Sequence, residues 1–167
     1  MDILEAILTR RSVREFTGEP VGRDELRAIV EAGTWAPSGL NNQPWRFALV
    51  TDRDIKEKMS SLTKYARIIR ESAALIVTFV DTEAMYHEAK DHQSVGACLQ
   101  NMLLASHARG LGAVWLGEIL RSASEVRELL GLPENLELMA VIALGHPTEK
   151  KRTSSRKPLK DVLLKEI

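Results

Sequence analysis

The sequence predicts an α+β fold in which a sheet of four or five strands is covered by helices. Three observations carry this reading. Apolar residues make up 44% of the 167 positions and charged residues 28%, enough for one core under a solvated surface. Residues 73–80 form a continuous run rich in β-branched side chains, the pattern of a buried central strand. Helical spacing of apolar positions recurs along the chain but not in regular βαβ units, because two helices precede the first clear strand. No repeat or low-complexity tract interrupts what reads as a single domain over residues 1–167.

Asp2 caps a first short helix that carries Ile3, Leu4, Ile7 and Leu8 on one face. Alternation in residues 10–16 predicts extended chain. A second helix fits residues 23–34, with Leu26, Ile29 and Val30 inward, and it stops before Ala36-Pro37 because the residue preceding proline disfavours helix. Residues 36–44 form a polar loop and residues 45–51 a strand. Asp52 caps a helix through Ser60, and another helix lies between Leu62 and Glu71. The longest helix runs from His87 or Asp91 to Arg109 and is closed by Gly110. Its apolar positions Val95, Cys98, Leu99, Met102 and Leu103 are joined by Ala97, Leu104 and Ala105 on other faces. A helix apolar nearly all round is buried, either centrally or against another subunit. Residues 111–116 read as a strand. Ser122 and Glu125 read as a capping box opening a helix that ends near Gly131, and residues 136–144 as the last strand. A polar, basic tail over residues 149–160 leads to a final amphipathic turn ending at Ile167.

Composition excludes several functions. The 23 basic and 23 acidic residues give a formal net charge of zero, unlike a general nucleic-acid binder. The lone Cys98 permits neither an internal disulfide nor a multi-cysteine metal site, and on an apolar helix face it reads as structural. Residues 73–80 are too few to cross a bilayer, which takes about 20. The start, Met1-Asp2-Ile3-Leu4-Glu5, is unlike a signal or transit peptide, so a soluble cytoplasmic protein with no membrane or nucleic-acid partner is expected. The histidines show no metal-ligand spacing, and no Gly-x-Ser-x-Gly elbow is present.

Charge is nonetheless uneven. Arg10, Arg11 and Arg14 cluster near the start; Lys150, Lys151, Arg152, Arg156, Lys157 and Lys160 cluster near the end. In extended chain Arg10, Ser12 and Arg14 point one way and Arg11 another. Two guanidinium groups flanking a hydroxyl can seat a phosphate monoester; the plainer reading is solvated surface charge. In Pro37-Ser38-Gly39-Leu40-Asn41-Asn42-Gln43-Pro44-Trp45, three consecutive carboxamides lie between two prolines. Such a loop suits a planar heterocycle whose edge alternates C=O and N–H, and it also suits a simple turn-rich connector. Gly110, Gly112 and Gly117 lack dinucleotide-fingerprint spacing, and they follow a helix rather than open one. Gly117, at a strand end, can still bring bare backbone close to a ligand.

Taken together these segments resemble the nitroreductase family. Arg10-Arg11-Ser12-Val13-Arg14-Glu15-Phe16 is similar to its opening motif, and Ala36-Pro37-Ser38-Gly39-Leu40-Asn41-Asn42-Gln43-Pro44-Trp45 to its second. Gly110-Leu111-Gly112-Ala113-Val114-Trp115-Leu116-Gly117 and Ala143-Leu144-Gly145-His146-Pro147 are similar to the third and fourth, in matching order and separation. The resemblance implies an FMN protein with a mostly antiparallel central sheet, folded as an intertwined homodimer with flavins at the subunit interface. It implies that Arg10, Arg11, Ser12 and Arg14 hold the ribityl phosphate, helped by Arg156, with Arg152 as the alternative. Pro37, Ser38, Asn41 and Gln43 would come from the second motif, the last two across the interface, and the backbone of Leu116, Gly117 and Glu118 would approach the ring. The implied activity is NAD(P)H-dependent: NADH or NADPH gives up hydride and leaves, and a small acceptor such as a nitroaromatic or quinone then takes its place. No side-chain acid or base is nominated. The alternative from another class is a flavin-binding or redox-sensing protein of the same fold without efficient turnover.

Overall fold

The computed structural model describes residues 1–148 and 153–167. The elements, in order, are α1 (Ile3–Thr9), α2 (Arg23–Thr34), β1 (Trp45–Val50), α3 (Arg53–Ser60), α4 (Ala66–Glu71), β2 (Ala74–Asp81), α5 (Glu88–Ala108), β3 (Gly112–Leu116), α6 (Ala123–Leu129) and β4 (Leu136–Gly145). The four strands form one sheet in the order β1-β2-β4-β3, with every pairing antiparallel. The α+β expectation and its four-strand form are both met.

β2 is buried from Ala74 to Val80, which explains why its sequence is apolar without alternation: helices cover both faces. On one face Ile76, Ile142 and Leu144 pack with Leu26 and Ile29 of α2 and with Val95, Leu99 and Met102 of α5. On the other, Leu75, Val77 and Phe79 pack with Met59 of α3, Ile69 of α4 and Val126 of α6. Each such fully buried side chain contributes roughly 1.5–3 kcal/mol. The β2–β4 register slips between Thr78 and Phe79, so that Thr78 faces Ala140 while Phe79 faces Leu138. This bulge inverts the side-chain alternation of β4: Leu136 and Leu138 join the second core layer, whereas Ala140 and Ile142 belong to the first.

Asp2 and Asp52 cap α1 and α3 as expected, accepting from Glu5 N–H at 2.8 Å and Ile55 N–H at 2.9 Å. Gly110, at φ +77°, closes α5 in a Schellman arrangement, with Leu111 N–H reaching Ser106 O at 2.9 Å and Gly110 N–H reaching His107 O at 3.0 Å. Burial pushes the Cys98 thiol up to about 12, an inert core group as the sequence indicates.

One expectation is corrected. Ser122 makes no capping bond: the chain enters α6 straight from a 3₁₀ turn over Glu118–Ser122, and Ser122 lacks the extended conformation a cap requires. The apolar face of α1 is not covered in the single chain, since Ile3, Leu4, Ile7 and Leu8 are all exposed and only Ala6 is buried. The expected turn of the tail is present as a 3₁₀ turn at Leu159–Asp161 after Pro158, and Leu163, Leu164 and Ile167 beyond it are exposed.

Candidate functional site

The segment after α1 lies along the edge strand β3. Ser12 bridges Ala113 in parallel, Val13 N–H donates to Ala113 O at 3.0 Å, and Phe16 bridges Pro147. Val13 packs directly on Gly112, where a Cβ would stand 2.6 Å from Val13 Cγ1, so glycine is what lets the two backbones meet. This contact sets the arginines in place.

Arg10, Arg11, Ser12, Arg14, Thr153, Ser154 and Arg156 line a cavity of about 240 Å³. Among the described residues, none of those that line it is a carboxylate. Burial, then the neighbouring charges of Arg156 and Arg11, lower the Arg10 pKa from its usual value, a sign that these cations repel one another. The Nε atoms of Arg10 and Arg11 are buried and have no hydrogen-bond partner among the described residues. Nearby, His107 Nε2 lies 2.8 Å from Thr9 Oγ1, and burial followed by Arg10 and Arg11 lowers its pKa. A concave surface with several guanidinium groups and hydroxyls can accept an anion, and a phosphate monoester matches its fork geometry.

The fold brings Arg10, Ser12, Arg14 and Arg156 of the sequence reading together around one cavity. Arg11 borders this cavity and also a second one of about 340 Å³, which it lines with Thr9, Val13 and His107 and without Arg10, Ser12 or Arg14, as the alternation of the segment expects. Arg11 follows the end of α1, and its side chain curls back to donate Nη1 to Leu8 O and Arg10 O, both at 2.8 Å. Lys150, Lys151 and Arg152 lie outside the described residues. Thr153 and Ser154 were missed, although hydroxyl residues beside a basic run are the usual company of a phosphate.

β3 leads away from this cavity to Leu116 and Gly117. Gly117 is four residues beyond the Ser12 bridge, about 13 Å at strand rise. It is exposed, with open space where a side chain would be. Just past it, Glu118 accepts from Thr63 Oγ1 at 2.6 Å and Lys64 N–H at 3.1 Å, pinning the turn between α3 and α4 beside the strand end.

The carboxamide loop stands elsewhere. It precedes β1, at the opposite edge of the sheet from β3. Leu40, Asn41 and Gln43 all occupy the left-handed region, at φ 54°, 55° and 46°. For non-glycine residues that costs on the order of 1–2 kcal/mol each, so surrounding bonds must hold the loop. Ser38 Oγ accepts from Gln43 N–H at 3.1 Å, and Asn42 Nδ2 donates to Asp91 Oδ1 at 2.7 Å. Thr9, next to the arginine cavity, is bonded to His107 of α5, and Asn42 is bonded to Asp91 of the same helix. Those anchor points are sixteen residues apart, about 24 Å along the axis. Within one chain, the loop of Asn41 and Gln43 does not reach the cavity of Arg10 and Arg14.

Burial opposes ionisation of Asp91, but hydrogen bonds from His87 N–H, the Asn42 amide and Tyr86 N–H outweigh it and hold its pKa below the usual range. Glu118 is lowered too, chiefly by the Thr63 hydroxyl against an opposing burial effect. Both carboxyls ionise more readily in the folded chain, so their contribution is present above the unfolded value near about pH 4 and is lost as pH falls through the lower folded values. Urea midpoints measured against pH are expected to drop on acidification below about pH 4; a flat profile there would contradict these networks.

The chain thus combines an all-antiparallel sheet with an arginine-lined cavity at one edge and a left-handed carboxamide loop at the other, a fold with two candidate binding surfaces. No helix among the described residues is long and apolar enough to cross a membrane. The chain belongs to the nitroreductase family, whose model matches residues 7–74 and 60–146. It is 35% identical to a candidate NADH dehydrogenase/NAD(P)H nitroreductase of Archaeoglobus fulgidus, over 90% of this chain and 88% of that protein. It is similar to a candidate nitroreductase from Desulfovibrio desulfuricans solved in complex with FMN, with a TM-score of 0.95 and 48% identity over 100% of this chain and 98% of that one. It is similar also to the NADPH:FMN oxidoreductase of Vibrio harveyi complexed with NAD+, with a TM-score of 0.87 and 30% identity over 98% of this chain and 76% of that one.

Proposed function

We propose that the protein is an FMN-dependent oxidoreductase that uses NADH or NADPH to reduce small organic acceptors such as nitroaromatics or quinones. The observation that carries this reading is the arginine cavity on β3, about 13 Å from the open backbone of Gly117 on the same strand. That separation suits a mononucleotide with its phosphate at one end and its ring at the other. The guanidinium groups and hydroxyls that line the cavity, and the buried Nε atoms of Arg10 and Arg11 that find no partner among the described residues, fit the phosphate.

Bound FMN supplies hydride transfer between NAD(P)H and the acceptor. The chain's own residues bind and orient it. Arg10, Ser12, Arg14 and Arg156 hold the phosphate, with Arg11, Thr153 and Ser154 completing the wall. The backbone at Leu116 and Gly117 would meet the ring, beside the turn at Thr63 and Lys64 that Glu118 ties to the strand end. Pro37 and Ser38 shape the loop that presents Asn41 and Gln43.

The functional unit in this reading is a homodimer. A second copy brings its carboxamide loop to the cavity that its own distant arginines cannot share, closing the gap of about 24 Å measured along α5. The exposed apolar face of α1 and the exposed Leu163, Leu164 and Ile167 supply surface for that pairing.

The decisive experiment is to purify the protein without added cofactor, record its visible spectrum and identify the released chromophore by mass. Oxidised-flavin bands, FMN on release and bleaching by NAD(P)H faster than that of free FMN are expected. Bound FMN that NAD(P)H does not bleach faster would leave a binding protein and remove the oxidoreductase. A colourless protein that fails to take up FMN would overturn the site as well.

A further inference from the structure

The three carboxamides at 41–43 divide their labour. Asn41 and Gln43 are exposed, while Asn42 turns inward and donates through Nδ2 to Ala84 O at 3.1 Å and to Asp91 Oδ1 at 2.7 Å. Asp91 is wholly buried in the first turn of α5. Its second oxygen accepts the backbone N–H groups of Tyr86 at 3.0 Å and His87 at 2.8 Å. One carboxylate therefore ties together the loop, the turn before α5 and α5 itself. The same turn grips the loop from outside: the Tyr86 ring sits on Gly39, where a Cβ would come within 1.9 Å of the phenol oxygen. These ties hold a run in which Leu40, Asn41 and Gln43 are all left-handed, a conformation such residues leave when released.

We propose that Asp91 is the positioning residue of this loop: acting through Asn42, it holds the left-handed run so that Asn41 and Gln43 face the flavin ring. The proposal rests on the FMN reading above. Asp91 touches no cofactor itself. Replacing it by asparagine keeps the size but turns one acceptor oxygen into a donor. That donor must then face the N–H groups of Tyr86 and His87, or turn the Asn42 amide over so that its Oδ1 accepts and its bond to Ala84 O is given up.

The test compares FMN with riboflavin, which has the ring but no phosphate, in fluorescence titrations of the apo parent and of Asp91→Asn, Asn42→Ala and Arg14→Ala. Asp91→Asn and Asn42→Ala are expected to lose affinity for both ligands by roughly tenfold or more, with a shifted absorption spectrum of the bound ring. Arg14→Ala is expected to lose FMN and keep riboflavin. Asn42→Ala leaves Asp91 bonded to Tyr86 and His87, so it decides the matter if Asp91→Asn does not fold. Affinities within twofold of the parent for both ligands, or a loss confined to FMN, would overturn the proposal. Failure of both variants to fold would make Asp91 a folding residue and overturn it too. A parent that binds neither ligand overturns the FMN reading itself, and the proposal with it.

Discussion

Replacing Arg14 by alanine is expected to weaken FMN binding by roughly 10- to 100-fold, the loss of one charge-assisted contact worth about 1.5–3 kcal/mol. Arg14 is exposed and lines the cavity, so its removal disturbs little else. Because the contact is ionic, part of the loss is expected to vanish at high salt, where the parent's affinity also falls. Arg11→Ala makes the informative contrast. Arg11 lines the same cavity, yet its Nη1 is committed to the carbonyls of Leu8 and Arg10. A smaller loss of FMN is expected there, accompanied by a looser end to α1. Titration of apo protein with FMN checks both, and an unchanged affinity in a folded Arg14→Ala protein would show that the phosphate sits elsewhere.

Gly112→Ala is expected to cost roughly 1–3 kcal/mol of stability and to weaken FMN binding without touching any residue that lines the arginine cavity. The added methyl would lie 2.6 Å from Val13 Cγ1 and 2.8 Å from its Cβ. Valine is branched at Cβ and stiff, and its N–H is bonded to Ala113, so the side chain cannot swing aside. The whole segment carrying Ser12 must lift from β3, moving Arg10 and Arg14 with it. Thermal unfolding and FMN titration read the two effects separately; full stability with full FMN affinity would mean that the Ser12–Ala113 bridge does not set the cavity.

Those two substitutions also mark how far the sequence could be read. The strands and helices were legible because burial imposes its own grammar: β2 is apolar throughout because both its faces are covered, and α5 shows its inward residues at helical spacing. The caps Asp2 and Asp52 were legible because capping is local chemistry. Ser122 misled for the converse reason. The residues of a capping box were present, but the preceding turn at Glu118–Ser122 had already set the backbone. At the site, Arg10, Ser12 and Arg14 could be grouped by alternation, whereas the bonds of Arg11 to Leu8 O and Arg10 O depend on a helix end that alternation does not describe. Asn42 and Asp91 are 49 positions apart, and nothing in either neighbourhood announces the other. Long-range polar bonds of this kind become visible only when the chain is folded.

The arginine cavity also links binding to folding. Arg10 is partly buried beside Arg156 and Arg11, and both the burial and those charges disfavour its charged form. An anion seated among these guanidinium groups offsets that cost only in the folded chain, where they are brought together. By mass action, resistance to unfolding is therefore expected to rise with the concentration of such an anion.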